Sequence, residues 1–480
     1  MKRVALAAAL LAGCTVGPDY RPPATAVPQH FLEPADSGPS SAELTHWWRS
    51  FNDQELSSLV ERAVALNLDV QTATSRIREA RAREVVAGAA ALPEVNAQAS
   101  ATRQRISENA IPIPPGTAPG GGSPGGAFGL PGTEFSTFRL GLDASWEIDL
   151  FGGTRRSIEA ARARTGSAIW SARDLQASTA AEVANAYLTL RTLQERIANA
   201  ERDVTRQSRL ERLVGARYRG GLTTGLDVEQ QRSERATSAA ELPTLRSQAQ
   251  AQIHALGVLT GTTPEALAAE LTPPKALPSP PIVPAGLPSD QLRRRPDIRA
   301  AERQLAASTA DIGVAVTDLY PRFSLTAAPA LVSTALSSLL EWGSRSFSVG
   351  GSLLWPLFNG GKTRANIAVA NARQEQALLA YRKTILTALK DVEDALSNTA
   401  ADRARLADLQ TALASATRAE QLSGSRYRGG LVTYSDVLQN QGRRLTIEKQ
   451  IIETKGALAR DSVALFRALG GGWPEGETVQ

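Results

Sequence analysis

The hexapeptide Arg217-Tyr218-Arg219-Gly220-Gly221-Leu222 recurs as Arg426-Tyr427-Arg428-Gly429-Gly430-Leu431, displaced by 209 positions. Paired glycines at the end of a helical pattern break that helix, so a duplicated break predicts a duplicated architecture. The repeat extends well beyond the hexapeptide. Asn67-Leu68-Asp69-Val70 matches Arg295-Pro296-Asp297-Ile298, and Leu92-Pro93 matches Tyr320-Pro321, both at 228 positions. Trp146 matches Trp355 at 209 and Phe151 matches Phe358 at 207, while Asp227 and Asp436 correspond at 209. The shortening lies in the loops between strands.

Each repeat reads as helix, strand, loop, strand, very long helix, Gly-Gly turn and medium helix. Helical patterns run from Asp53 to Leu66 and from Leu68 to Leu92, where Pro93 stops them. Val95, Ala97, Ala99 and Ala101 then alternate with polar neighbours, as do Phe138, Leu140, Leu142, Ala144, Trp146 and Ile148. Each run has about the length that a tilted membrane strand needs, although a soluble hairpin alternates in the same way. Between them Arg105 to Gly132 is Gly/Pro-rich and reads as a surface loop. From Thr154 to Tyr218 no proline interrupts a helical pattern, and Val183, Leu190, Ile197 and Val204 recur every seven residues. At 1.5 Å per residue such a helix is about 90 to 100 Å long. Pro329 falls inside the third presumed strand, a local misfit.

The expected boundaries follow: 1–13 signal peptide, 14–50 extended lead and 51–270 repeat 1, with strands about 94–150, long helix about 154–218 and return helix about 226–260. A Pro-rich connector occupies 271–296. Repeat 2 occupies 297–470, with strands about 322–357, long helix about 362–427 and return helix about 436–469, and a tail fills 471–480. If the strands mark one end of a repeat and the glycine turn the other, the return helix covers about half of the long one. The leading helix then stacks end to end on it. Four strands per chain cannot close a barrel, because the smallest membrane barrels have about eight. An open edge is not tolerated in lipid, so the chain must oligomerise.

Lys2 and Arg3 precede an apolar run from Val4 to Ala12, the layout of a secretory signal too short to span a bilayer. It ends Leu11-Ala12-Gly13-Cys14, which resembles a bacterial lipobox and implies diacylglycerol and an N-acyl chain on Cys14. Cys14 is the only cysteine, so no internal disulfide is available and the alternative is a free thiol. One acyl anchor holds only marginally, which again asks for a second membrane element.

The 53 basic and 48 acidic side chains are spread along the chain, with a net charge of +5 and no basic patch that would track nucleic acid. His30, His46 and His254 are the only histidines, and no metal, phosphate-loop or nucleophile motif accompanies them. Gly120 to Gly129 is glycine-rich without a following lysine and helix, so it reads as loop. An enzyme is therefore not expected, nor any metal or other cofactor.

Taken together, the chain from Cys14 to Leu469 resembles the TolC/OprM outer-membrane factor family. Cys14-Thr15-Val16-Gly17-Pro18-Asp19-Tyr20-Arg21-Pro22, Arg295-Pro296-Asp297-Ile298 and Tyr320-Pro321 look like signatures of its lipid-anchored branch. The resemblance implies a mainly α fold with membrane β: a homotrimer whose twelve-strand outer-membrane barrel continues into a twelve-helix periplasmic barrel. It implies an exit duct for a tripartite efflux system, in the outer membrane and extending into the periplasm. The implied partners are a periplasmic membrane-fusion adaptor and an inner-membrane transporter of the resistance-nodulation-division type. Gly220, Gly221, Leu222, Gly429, Gly430 and Leu431 are then adaptor-docking tips, and Trp146 and Trp355 an aromatic girdle in outer-membrane lipid. Asp227, Asp436, Tyr218, Tyr427 and Gln439 are then placed at the periplasmic gate. Gln439 and Val432 stand where the TolC pattern has a second Asp and an Arg, so a single carboxylate ring per repeat and a different latch are expected. The plainer readings are a helix-hairpin turn for the glycines, an N-cap for each Asp and a capped soluble core for the Trp pair. A structural or adhesive coiled-coil lipoprotein would explain anchor and heptads without a channel, but would not require two strand pairs of membrane length.

Overall fold

The computed structural model describes residues 15–24, 44–105, 107, 134–281, 283 and 294–473. Cys14, the signal segment, nearly all of the glycine-rich loop and residues 474–480 lie outside the described residues. In chain order the elements are α1 (Gln54–Leu66), α2 (Leu68–Ala89), β1 (Glu94–Arg105), β2 (Glu134–Ile148), α3 (Gly153–Arg219), α4 (Gly225–Thr260) and α5 (Pro264–Leu271). The second repeat supplies α6 (Pro296–Thr317), β3 (Arg322–Ala327), β4 (Ala330–Ser333), β5 (Arg345–Ser346), β6 (Val349–Leu354), α7 (Lys362–Arg428) and α8 (Tyr434–Ala468). The two long helices, α3 and α7, have 67 residues each. The expected limits of both are met within one or two residues. No helix among the described residues is long and apolar enough to cross a membrane.

The chain divides into two units, one holding the sheet with the adjoining helix ends and the other holding the helical body. In the first, every strand pairing is antiparallel. β2 pairs with β1 on one side and with both β3 and β4 on the other, and β3 and β4 pair in turn with β6 and β5. The break at Pro329 is a gap in bonding, not in register. Ala144 faces Ala327 on one side of it and Gly141 faces Ala330 on the other, in one unshifted alignment. Pro329 lacks the N–H that a ladder needs, while its carbonyl still accepts from Leu142 at 2.9 Å. The chain therefore has four long strands, as expected, two of them interrupted.

Directly opposed residues share a face, so the register sorts the side chains. Val95, Ala97, Ala99 and Ala101, then Leu140, Leu142, Ala144 and Trp146, then Phe323, Leu325 and Ala327, then Val349 and Leu353 all fall on one face. Asn96, Gln98, Ser100, Asp143, Ser145, Ser324, Thr326 and Ser352 fall on the other.

In the helical unit a core gathers Trp47, Leu56, Leu59, Tyr187, Leu190, Leu256, Leu271, Val463 and Phe466. Trp47 stacks on Phe466 with ring centroids 5.4 Å apart. Residues 44–50 are thus not the extended lead expected of them: Leu44, Trp47 and Trp48 are buried, and Trp47–Phe51 form a 3-10 turn. The tail likewise begins later than 471, since Trp473 is buried and Gly472 donates to the Leu44 carbonyl. The helix α5, which opens with Pro264 in its first turn, also goes beyond the expected elements. Its end is held by Gln194, which donates to the Leu271 carbonyl at 2.8 Å. Arg191 binds the connector through the Pro273 carbonyl and pairs with buried Glu55 at 2.7 Å.

The end-to-end stacking of leading and return helices takes a definite chemical form. Asn67 accepts from the Asp69 and Val70 amides, capping α2, and donates to the Leu259 carbonyl at the end of α4. One side chain thereby satisfies orphan groups of two helix termini. In repeat 2 the equivalent residue, Arg295, donates to the Ala468 carbonyl at the end of α8 and forks onto Asp297.

Candidate functional site

Two places carry the residues that the sequence singles out: the glycine turns of the helical unit, and the helix-facing rim of the sheet unit. At the first turn Gly220 donates to the Ala216 carbonyl, Gly221 to Tyr218 and Leu222 to Arg217. The second turn repeats this with Gly429 to Ser425, Gly430 to Tyr427 and Leu431 to Arg426. Each is a Schellman closure in which the second glycine takes the left-handed conformation, with φ of 69° at Gly221 and 72° at Gly430. A Cβ at either position would meet nothing within 4 Å. Leu222 and Leu431, the last residues of the two turns, are 69% and 77% exposed. A buried turn would tuck such a leucine against the preceding helix turn, so these tips present apolar side chains outward.

The return helices start with capping boxes. Thr224 accepts from the Asp227 amide while Asp227 accepts from the Thr224 amide, and Thr433 with Asp436 does the same. Both aspartates thus sit one turn inside the helix, not at the N-cap. The Thr433 hydroxyl and amide donate to Asp436 and hold its carboxyl below the usual carboxylate range. Among the described residues neither Asp227 nor Asp436 pairs with Arg217, Arg219, Arg426 or Arg428. Arg217 instead lies over the Tyr427 ring, 4.9 Å from its centroid. Tyr218 is exposed and stands over Gly225, and Gln439 is exposed on α8.

The two hairpins of one chain are tied through Asp227 and Tyr427, which the sequence singled out, and through Thr223, Gln207, Gln231 and Tyr434, which sequence reasoning missed. Thr223 donates to Asp227 and lies 3.3 Å from the Tyr427 hydroxyl. The Tyr427 ring packs on Tyr434 at 5.3 Å, and the Tyr434 hydroxyl donates to the Gln231 side-chain carbonyl. The Gln231 amide then donates to the side-chain and main-chain carbonyls of Gln207, at 2.8 and 3.1 Å. Gln231 is fully buried, and burial pushes the Tyr434 hydroxyl well above its ordinary value. A satisfied polar chain in an apolar setting of Val214 and Val437 fixes one arrangement, because any other leaves buried groups unpaired. The equivalents at 209 positions are Ala416 for Gln207, Asn440 for Gln231, Gly225 for Tyr434 and Val432 for Thr223, so the repeat carries the tie once, not twice. That mismatch was the available signal.

At the rim, Trp146 donates its indole N–H to the Ala91 carbonyl at 3.0 Å, and Trp355 donates to Leu319 at 3.1 Å. The two bonds are repeat equivalents, and both rings remain partly exposed. Phe151 stacks on Tyr320 at 4.7 Å. The lead is seated here too: Val16 donates to the Phe151 carbonyl, and buried Arg156 pairs with Asp19 at 2.7 Å. Among the described residues no group of His, Cys, Asp or Glu could hold a metal ion.

The family model described as outer membrane efflux protein matches residues 59–262 and 287–471. The chain is 34% identical over 475 residues to the pyoverdine export outer membrane protein OpmQ of Pseudomonas aeruginosa, covering 98% of this chain and 97% of that protein. It is 29% identical to the cation efflux system protein CusC of Escherichia coli, covering 97% of each. The solved outer-membrane channel OprN superposes with a TM-score of 0.86 at 34% identity, covering 96% of this chain and all of that one.

Proposed function

Since the chain belongs to the outer membrane efflux protein family, we propose that three copies assemble into one passive duct that carries small molecules from the periplasm to the exterior. It is an outer-membrane protein of an efflux system with the TolC-like fold. The observation that carries the reading is the sheet. Among the described residues it has four long strands, one apolar and one polar face, and β1 and β6 each pair on one side only. Such a sheet suits lipid on one face and water on the other only if its edges are closed, and three copies supply twelve strands.

The helix tips, with Leu222 and Leu431 outward, are in this reading the docking points of a periplasmic membrane-fusion adaptor. The energy comes in this reading from an inner-membrane transporter of the resistance-nodulation-division type, since the sequence carries no phosphate-loop motif of its own. Cys14 carries diacylglycerol and an N-acyl chain, and the seating of Val16 and Asp19 at the rim supports an anchor placed beside the sheet. Relatives named for pyoverdine export and for cation efflux match the chain at 34% and 29% identity, which supports a duct whose cargo is chosen elsewhere.

Purified protein in planar bilayers is expected to give cation-favouring channel events, more frequent when Asp436→Ala removes the tip carboxylate. No conductance from either protein under any voltage would overturn the duct.

A further inference from the structure

Resting on the reading of a sheet closed in the outer membrane, we propose that each chain carries on its apolar face a site for one phosphorylated glycolipid of the outer leaflet. An acyl chain fills the hollow at Pro329, and the phosphate sits on Arg345.

The register lays two neighbouring rows of side chains across the sheet. Ala97 faces Leu142, while Leu140 faces Leu331, which in turn faces Arg345. Leu142 donates to the Pro329 carbonyl, and the Ala328 and Ser348 backbones bond to each other in both directions. The unshifted alignment therefore sets Pro329 between Leu142 and Phe347. One row is Ala97, Leu142, Pro329 and Phe347; the next, farther from the helices, ends in Arg345. Both fall on the apolar face. A small Ala97 and a compact Pro329 leave a hollow of about 670 Å³ against these rows, inside the range of about 300–1,000 Å³ usual for ligand pockets.

Arg345 is the residue that the face does not explain. The apolar face runs from Trp146 near the helices to the pair of Arg103 with Glu134, 2.9 Å apart, at the far end. Between those limits Arg345 is the one charged residue on this face among the described residues. Its row lies six residues beyond Trp146, about 20 Å along the strand and about 15 Å along the membrane normal at a tilt of about 40°. In an apolar band about 25 Å tall that is the outer half, where a charge is costly unless it reaches the interface or meets an opposite one. The side chain is held for such a meeting. Its Nε donates to the Trp342 carbonyl at 2.7 Å and its guanidinium lies over the Trp342 ring, on the connection beyond the strand ends. Among the described residues no carboxylate pairs with it. Trp342 and Phe347, on either side, are 76% and 82% exposed. An apolar hollow toward the midplane with a guanidinium outward of it has the polarity of an outer-leaflet lipid, tail inward and phosphate outward, and the forked guanidinium suits a phosphate.

Delipidated protein in detergent, titrated with bis-phosphorylated lipid A, with its dephosphorylated form and with phosphatidylglycerol, tests this by native mass spectrometry. The parent is expected to take up to three lipid A molecules per trimer, about ten- to a hundredfold more tightly than the dephosphorylated form. Arg345→Gln should abolish that preference and Arg345→Lys should keep part of it, whereas Ala97→Phe, filling the hollow, should weaken both glycolipids alike. A parent indifferent to the phosphate, an Arg345→Gln variant that keeps the preference, or phosphatidylglycerol bound as tightly as lipid A would overturn the site. Light scattering and bilayer recordings on the same preparation separate the two readings: conducting trimers without the preference overturn this inference alone, whereas monomers that never conduct overturn the duct as well.

Discussion

Gln231 has no charge and no place in any motif, yet it holds together three helices of one chain. Its amide and carbonyl are both engaged, by Gln207 on α3 and Tyr434 on α8, with no solvent to substitute for either. A buried polar group left without its partner costs about 1–3 kcal/mol, so Tyr434→Phe is expected to loosen the paired hairpins by that amount. Amide hydrogen exchange around residues 427–434 should then quicken by roughly five- to a hundredfold, while exchange around Tyr187 stays unchanged; equal rates at the tip would show that the tie holds nothing. How much of this was legible varied by residue. The Thr-x-x-Asp spacing of Thr224 with Asp227 and Thr433 with Asp436 is a local capping signal, read from the sequence alone as an N-cap and found one turn further in. The Gln207–Gln231–Tyr434 chain is tertiary: its members are 24 and 203 positions apart, and no periodicity announces that they meet. Only the failure of the repeat at Gly225 and Tyr434 marked the spot.

Among the elements, the long helices were the most legible, because 67 residues without proline and with paired glycines after them admit one reading. The strands were legible as to face and number, and Pro329 marked where the ladder breaks without showing that register survives the break. The short pieces were missed. Trp47–Phe51 and Trp473 gain their structure from packing of Trp47 on Phe466 and of Trp473 on Trp170, contacts far off in sequence that a window of a few residues cannot display. The joints between leading and return helices lie between these cases, since Asn67 and Arg295 stand at matched positions but solve the same problem with different chemistry. Asn67→Ala removes a cap, at about 0.5–2 kcal/mol. Arg295→Ala leaves the Ala468 carbonyl without its donor, while Asp297 and Asp391 stay partly exposed to water, so the loss is about 1.5–3 kcal/mol, that of a charge-assisted hydrogen bond. Thermal unfolding should rank Arg295→Ala below Asn67→Ala and both below the parent. The reverse order would mean that the two joints are not equivalent.

For the molecule as a whole, the duplicated Gly-Gly turn has become a statement about two exposed surfaces of the same kind, six in a trimer. Folding and the proposed docking of an adaptor make different demands on these turns, and that difference is testable. The left-handed conformation at Gly221 and Gly430 costs an ordinary residue about 1–2 kcal/mol, but Asp tolerates it better than most because its short side chain bonds locally. Since a side chain there enters open space, Gly221→Asp and Gly430→Asp add a charge to the tip at little cost to the fold. The apolar Leu222 and Leu431 beside them suit a partner's helix ends approaching closely, and an uncompensated carboxylate buried in that contact would be expensive. Both variants are therefore expected to reach the outer membrane as trimers only slightly less stable to heat than the parent and to conduct in planar bilayers, yet to leave cells as drug-susceptible as a deletion strain. Retained resistance with normal trimer levels would remove the tips from the docking surface. Loss of trimers would instead show that the glycines serve the fold, as a plain helix-hairpin turn would.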